Sequence, residues 1–202
     1  MDLQARFDFA LSPLGRTHAV VLHLAITAAP APARETSSRS PLNVALVLDR
    51  SGSMGGDKLA YVKRAANLVV DALDERDRLS VVAYDDMIDT LVKPTRVENK
   101  DAIKQAIAQL HPLGTTNLSA GYQRGEALVR EVVEPGRINR ILLLTDGLAN
   151  AGVTEPAQLT ALSRSFKDAG VATTAIGVGQ DFDEDLLRSM ADAGGGNFFY
   201  IE

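Results

Sequence analysis

Two rhythms of apolar and polar positions run along this chain. In residues 3–11, Leu3, Phe7, Phe9 and Leu11 share one parity and Gln4, Arg6 and Asp8 the other. That two-residue period belongs to a half-buried strand. Ser12-Pro13-Leu14-Gly15 carries turn chemistry and residues 17–27 form a second β-rich run, which together predict a hairpin. Residues 28–41 (AAPAPARETSSRSP) offer little to bury and read as a connector. The expected organisation is therefore a hairpin extension with its connector over 1–41 and a main domain over 42–202.

From Leu42 the rhythm becomes strand and helix in turn. Residues 44–48 are a short continuous apolar run, as in a strand covered on both faces. Residues 58–73 place Leu59, Val62, Ala66, Val69, Val70 and Leu73 at helical spacing. Residues 79–84 and 88–92 predict an antiparallel strand pair around Asp85-Asp86. Amphipathic helices follow over 101–110 and 118–133, then an apolar strand over 140–144 and a helix over 156–169. A buried strand over 171–178, a helix over 184–193 and a last strand over 198–201 complete the series. Such alternation predicts an α/β fold: a doubly wound, mainly parallel sheet with one antiparallel edge strand and helices on both faces. Ligands of such sheets bind beyond the carboxyl ends of the strands.

Composition narrows the chemistry. The 202 residues include 46% hydrophobic and 23% charged positions, enough for a sizeable core and unlike a disordered, collagenous or coiled-coil chain. The absence of cysteine excludes a disulfide framework, a zinc ribbon and a cysteine nucleophile, and it is neutral about compartment. A net charge of −5 argues against non-specific binding of nucleic acid or anionic membranes. The longest apolar runs, 19–29 and 171–178, fall short of the roughly 20 residues of a spanning helix. The polar start Met1-Asp2-Leu3-Gln4-Ala5-Arg6 does not resemble a signal peptide, so the chain is expected in the cytoplasm if either side is preferred.

Candidate chemistry gathers in three loops. One is Asp49-Arg50-Ser51-Gly52-Ser53-Met54-Gly55, one is Leu113-Gly114-Thr115-Thr116-Asn117, and one is Thr145-Asp146-Gly147. Taken singly, each reads more readily as a turn or an N-cap. Together they offer two carboxylates and several hydroxyls, an all-oxygen set suited to a hard ion such as Mg²⁺ or Mn²⁺. In an extended segment Asp49, Ser51 and Ser53, at i, i+2 and i+4, would point the same way.

Asp49-Arg50-Ser51-Gly52-Ser53 resembles the D-x-S-x-S signature of the von Willebrand factor A-type domain and its metal-ion-dependent adhesion site. Gly114-Thr115-Thr116-Asn117 is similar to that family's G-G-T-N segment and Thr145-Asp146-Gly147 to its T-D-G, so the match spans 42–202. The resemblance implies metal ligation by Asp49, Ser51, Ser53, Thr116 and Asp146, with Mg²⁺ or Mn²⁺ ahead of Ca²⁺. It further implies direct contact by Ser51, Ser53 and Thr116, and contact partly through water by the two aspartates. Hydroxyl ligands leave the ion most of its charge, so an open position would attract the Asp or Glu carboxylate of a partner protein. Met54 after the serines resembles the bacterial and intracellular members more than the integrin ones. Residues 194–200 resemble the approach to the family's last strand, after which family domains continue into a closing helix. The chain ends at Glu202, and its hairpin lies outside the family pattern. Both features suggest a piece of a longer protein in which residues beyond 202 pack with the hairpin.

Enzymatic readings compete with this one. A metal with an open position can activate water, yet His18 and His23 lie in the hairpin and His111 beside Pro112, which leaves no general base in the motif loops. Asp49-Arg50-Ser51 lacks the second Asp of a phosphatase loop, Lys58 is misplaced for a P-loop, and neither G-x-S-x-G nor a dinucleotide fingerprint is present. A metal-dependent hydrolase and a purely architectural subunit domain remain the alternatives to a divalent-cation-dependent protein-binding module. The acidic run 181–185 is read as negative charge at a helix start. Arg50 and Met54 are read as flanking residues, either contacting a partner or exposed without consequence.

Overall fold

The computed structural model describes residues 2–7, 22–27 and 39–201. The chain divides into two compact units, Met1–Arg39 and Ser40–Glu202. In the first, β1 (Asp2–Phe7) pairs antiparallel with β2 (Leu22–Thr27), with Leu3 opposite Ile26 and Phe7 opposite Leu22. The expected turn at 12–15, with Phe9, Leu11 and His18, and the connector over 28–38 lie outside the described residues.

The second unit is built on β3 (Leu42–Asp49), β4 (Arg78–Tyr84), β5 (Ile88–Arg96), β6 (Ile138–Thr145), β7 (Val171–Val178) and β8 (Gly195–Ile201). They form one six-stranded sheet in the order β5-β4-β3-β6-β7-β8. The β4–β5 pair is antiparallel, and every other pair is parallel. The helices are α1 (Asp57–Ala72), α2 (Lys100–Ala108), α3 (Leu118–Arg130), α4 (Pro156–Asp168) and α5 (Glu184–Ala193). This is the α/β architecture expected from the alternation.

The central strand shows why its run is apolar throughout. Val44, Leu46 and Leu48 point into a core with Leu59, Val62, Ala66 and Val70 of α1 and Ile103 and Ile107 of α2. Ala45 and Val47 point the other way, into a core with Leu118, Tyr122 and Leu128 of α3 and Leu159 and Phe166 of α4. Successive side chains of a strand alternate between faces, so a strand covered twice needs apolar residues at every position.

Two elements run longer than their hydrophobic pattern. β5 continues through Pro94 to Arg96 because it is the outer strand, where a residue without an N–H is tolerated. β8 starts at Gly195, not Phe198, since Gly195 pairs with Thr173. A Cβ at Gly196 would stand 2.0 Å from the Thr173 carbonyl oxygen, so close backbone packing demands glycine where hydropathy gives no strand signal. The acidic run lies at a helix start: Asp183 caps α5 by accepting from Leu186 N, with Glu184 and Asp185 in the first turn. Among the described residues no helix is long and apolar enough to cross a membrane.

Candidate metal centre

β3 and β6 are neighbours with Leu48 opposite Leu144, which brings Asp49 and the Thr145-Asp146 step to the same end of the sheet. Asp49 closes β3, and the chain then leaves the strand. Ser51 is still extended (φ −58°, ψ 166°), while Gly52–Met54 makes a turn of 3-10 helix. Ser53 therefore reaches the site through that turn and not through one continuous extended segment. The two hydroxyls nevertheless meet, with Ser51 Oγ and Ser53 Oγ 3.2 Å apart.

Backbone hydrogen bonds lock the second loop to the first. Gly52 N donates to Gly114 O at 3.1 Å, and Leu113 N to Arg50 O at 2.8 Å. Gly114 has φ +57°, and a Cβ there would overlap the Asp86 carboxylate, so this contact requires glycine. Thr116 is buried, and its N–H donates to Asn150 Oδ1 at 2.7 Å while its carbonyl accepts from Asn150 N and Ala151 N. Asn117 then caps α3 by accepting from Ala120 N. Thr116 is thereby held between the Ser51 loop and the segment after Asp146.

Both carboxylates are buried and both oxygens of each accept from the chain itself. Asp49 Oδ1 accepts from Ser51 N at 2.9 Å. Asp49 Oδ2 accepts from Thr145 Oγ1 at 2.6 Å and from the Tyr84 hydroxyl at 3.2 Å. Asp146 Oδ1 accepts from Leu148 N and Asp146 Oδ2 from Lys58 Nζ, each at 3.2 Å. Burial pushes the Asp49 carboxyl above its ordinary range, and the charge of Asp146 adds to the rise, against the opposing hydrogen bonds from Ser51 and Thr145. Burial also holds the Tyr84 phenol well above its ordinary range, so it serves as a donor to Asp49.

The donor set fits a small hard cation. Adjacent oxygens in an octahedral shell with bonds of about 2.1 Å lie roughly 3 Å apart, close to the Ser51–Ser53 spacing. Among the described residues no three His, Cys, Asp or Glu side chains are placed to hold an ion, so the donors on offer at this end of the sheet are hydroxyls beside two carboxylates. Of the residues singled out in the sequence, Asp49, Ser51, Thr116 and Asp146 are buried at this end of the sheet and Ser53 is exposed beside them.

The flanking residues turn out otherwise than expected. Met54 is fully buried in the core and cannot meet a partner. Arg50 is engaged by Asp85 at 2.8 Å and Asp89 at 2.6 Å, with its side chain only 12% exposed, so it braces the β4–β5 turn against the site. His111 is exposed, as a loop histidine is expected to be. Thr145, Tyr84, Lys58 and Asn150 belong to the site as supports that the motifs do not mark as ligands. Thr145 stands next to Asp146 and was within reach of the pattern, whereas Tyr84 on β4, Lys58 on α1 and Asn150 in the loop after β6 are joined to it only by the tertiary fold.

The pattern of the von Willebrand factor type A domain matches residues 43–202. An uncharacterized protein of Synechocystis sp. is 35% identical over 174 residues, covering 85% of this chain and 40% of that protein. The uncharacterized protein YfbK of Escherichia coli is 30% identical over 84% of this chain, which spans 30% of it. This chain thus spans less than half the length of these curated relatives. Among solved structures, a von Willebrand factor type A protein from Catenulispora acidiphila superposes with a TM-score of 0.68 at 25% identity, over 91% of this chain and 41% of that one. Manganese-loaded TRAP protein of Plasmodium vivax gives 0.63 at 20% identity, over 76% of this chain and 63% of its own. Proximal thread matrix protein 1 from the mussel byssus, with a zinc-occupied MIDAS motif, gives 0.66 at 19% identity, over 81% and 44%. At that identity the last two show a shared fold.

Proposed function

The chain belongs to the von Willebrand factor type A domain family, and from that premise we propose that it is a divalent-cation-dependent protein-binding module and not a catalyst. Ser51, Ser53 and Thr116 would hold Mg²⁺ or Mn²⁺ through their hydroxyls, with Asp49 and Asp146 acting partly through water. The observation that carries this reading is that every carboxylate oxygen of Asp49 and Asp146 already accepts a hydrogen bond from the chain. Asp49 Oδ1 and both oxygens of Asp146 accept one such bond each and keep a second lone pair, enough for a metal-bound water, whereas Asp49 Oδ2 already accepts two. Carboxylates so engaged neutralise the ion less than two directly bound ones. When bound, the ion would supply an open, electrophilic position for a carboxylate from an acidic side chain of a partner protein. The manganese and zinc recorded in the two more distant structural neighbours support a divalent ion in a site of this shape.

Calorimetric titration of Mg²⁺ and Mn²⁺ into the protein and into Asp49→Ala tests the site. Binding by the unsubstituted protein with a loss of at least about tenfold in the variant is expected, because a buried charge beside the ion is removed. Equal binding by both, or by neither, would overturn the metal site. A panel of phosphoester and peptide substrates, with and without EDTA, separates module from hydrolase: turnover abolished by EDTA would favour the hydrolase.

A further inference from the structure

Lys58 is the second residue of α1, a helix whose first turn also carries Asp57. A cation there faces the positive end of the helix macrodipole, so helix stability does not explain it. Its stem is laid across a turn fixed elsewhere. Gly179 has φ +86°, its N–H donates to Ile201 O at 2.9 Å, and a Cβ on it would stand 2.6 Å from Lys58 Cε. The ammonium thus reaches Asp146 Oδ2 at 3.2 Å, with Asp146 fully buried and the Lys58 side chain 21% exposed. Asp146 Oδ1 is taken by Leu148 N, so the ammonium engages the carboxylate oxygen that the backbone leaves open.

Resting on the metal-binding reading above, we infer that Lys58 is a positioning residue that keeps Asp146 out of direct contact with the ion and so keeps the ion electrophilic toward an acidic partner. Two effects act together. The ammonium holds Oδ2 in a fixed direction, and its charge opposes a divalent ion drawing close to the same oxygen. Gly179 is what admits the lysine, since any side chain at that position would displace its stem. Weaker metal retention is the cost of this arrangement, and stronger attraction of an external carboxylate is its gain.

The test uses Mn²⁺ alone as the probe. Its affinity is measured by calorimetry and its bound inner-sphere waters by water-proton relaxation, on the whole chain carrying Lys58→Met, Lys58→Arg or Asp146→Asn. Lys58→Met is expected to bind Mn²⁺ about tenfold more tightly, the scale of a unit charge removed from beside a divalent ion even at a water-like dielectric. It is also expected to retain fewer inner-sphere waters, as Asp146 closes on the ion. Lys58→Arg, which keeps the charge, should return the unsubstituted values, and in the Asp146→Asn background Lys58→Met should still tighten binding through the lost charge but leave the inner-sphere water count unchanged. Unchanged or weaker affinity in Lys58→Met, with or without a lower melting temperature, would overturn the inference and leave Lys58 a structural ion pair. If the unsubstituted protein binds no Mn²⁺, or Asp49→Ala binds it equally well, the metal site itself fails, and that result is distinct from the previous one.

Discussion

At the scale of single residues, Thr145 joins two site loops with one hydroxyl. It donates to Asp49 Oδ2 at 2.6 Å and accepts from Gly147 N at 2.9 Å, all within a fully buried environment. Thr145→Val keeps the side-chain outline and removes both bonds. Leaving a buried charged acceptor short of a donor costs about 1–3 kcal/mol. Urea unfolding should register a loss of that size, and Mg²⁺ titration should show weaker binding, because Asp49 loses the contact that fixes its direction. A variant as stable as the parent with unchanged Mg²⁺ affinity would mean that Tyr84 and Ser51 suffice to hold Asp49. Elsewhere, Tyr122 shows how buried polar groups are satisfied here. Its hydroxyl donates to Ser163 Oγ at 3.0 Å and lies 2.6 Å from Thr173 Oγ1, and burial pushes its phenol up to about 12, so the donor proton stays in place.

At the scale of elements, α3 sets the position of the Thr116 loop, and glycine sets the position of α3. A Cβ at Gly121 would stand 2.5 Å from the Tyr84 ring, and one at Gly125 would stand 2.4 Å from Val47 Cγ2. Two opposed effects meet in Gly125→Ala. Helix propensity favours alanine by up to about 1 kcal/mol, whereas forcing a methyl into a close-packed core costs about 1–3 kcal/mol. Val47 is fully buried and stiff at its branched carbon, so it cannot yield and packing should win. A net loss of stability in thermal melts is expected. A rise in melting temperature would show instead that α3 can ride outward without harm. Tyr84, under α3, reaches Asp49 because the two are register partners on β4 and β3.

At the scale of the whole molecule, all five proposed ligands lie within the Ser40–Glu202 unit. Their supports, Thr145, Tyr84, Lys58 and Asn150, lie in the same unit. Removing residues 1–39 is therefore expected to leave Mg²⁺ affinity unchanged within calorimetric error. A clear loss would mean that the first unit contributes to the centre. The same division places the sheet's core, with Leu46, Leu48, Leu143 and Leu144 fully buried, directly behind the loops that carry the ligands. Loops held on such a scaffold can present polar groups without a folding transition of their own.

The order and kind of elements were legible in the sequence because each depends on neighbours close along the chain. The apolar run at 44–48, the helical spacing of Leu59, Val62 and Ala66, and the Asp183 cap are all local. The five proposed ligands were legible for a similar reason, since each sits in a short oxygen-rich loop with its own pattern. Where hydropathy was silent, as at Gly195 and Gly196 of β8, the strand was hidden, because contact with Thr173 and not side-chain burial fixes that backbone. Met54 and Arg50 were misjudged because burial beneath a turn and an ion pair across to β5 leave no periodic trace. Only the tertiary structure decided which donors meet the carboxylates. Thr145 lies 96 residues from Asp49, Tyr84 lies 35 from it, and Lys58 lies 88 from Asp146. Those pairings follow from the register of β4, β3 and β6 and from the seat of α1 on the sheet, and a strand slip of one residue would turn Thr145 or Tyr84 to the opposite face. Sequence thus supplied the residues proposed as ligands, and the tertiary arrangement decided how strongly each carboxylate is already engaged.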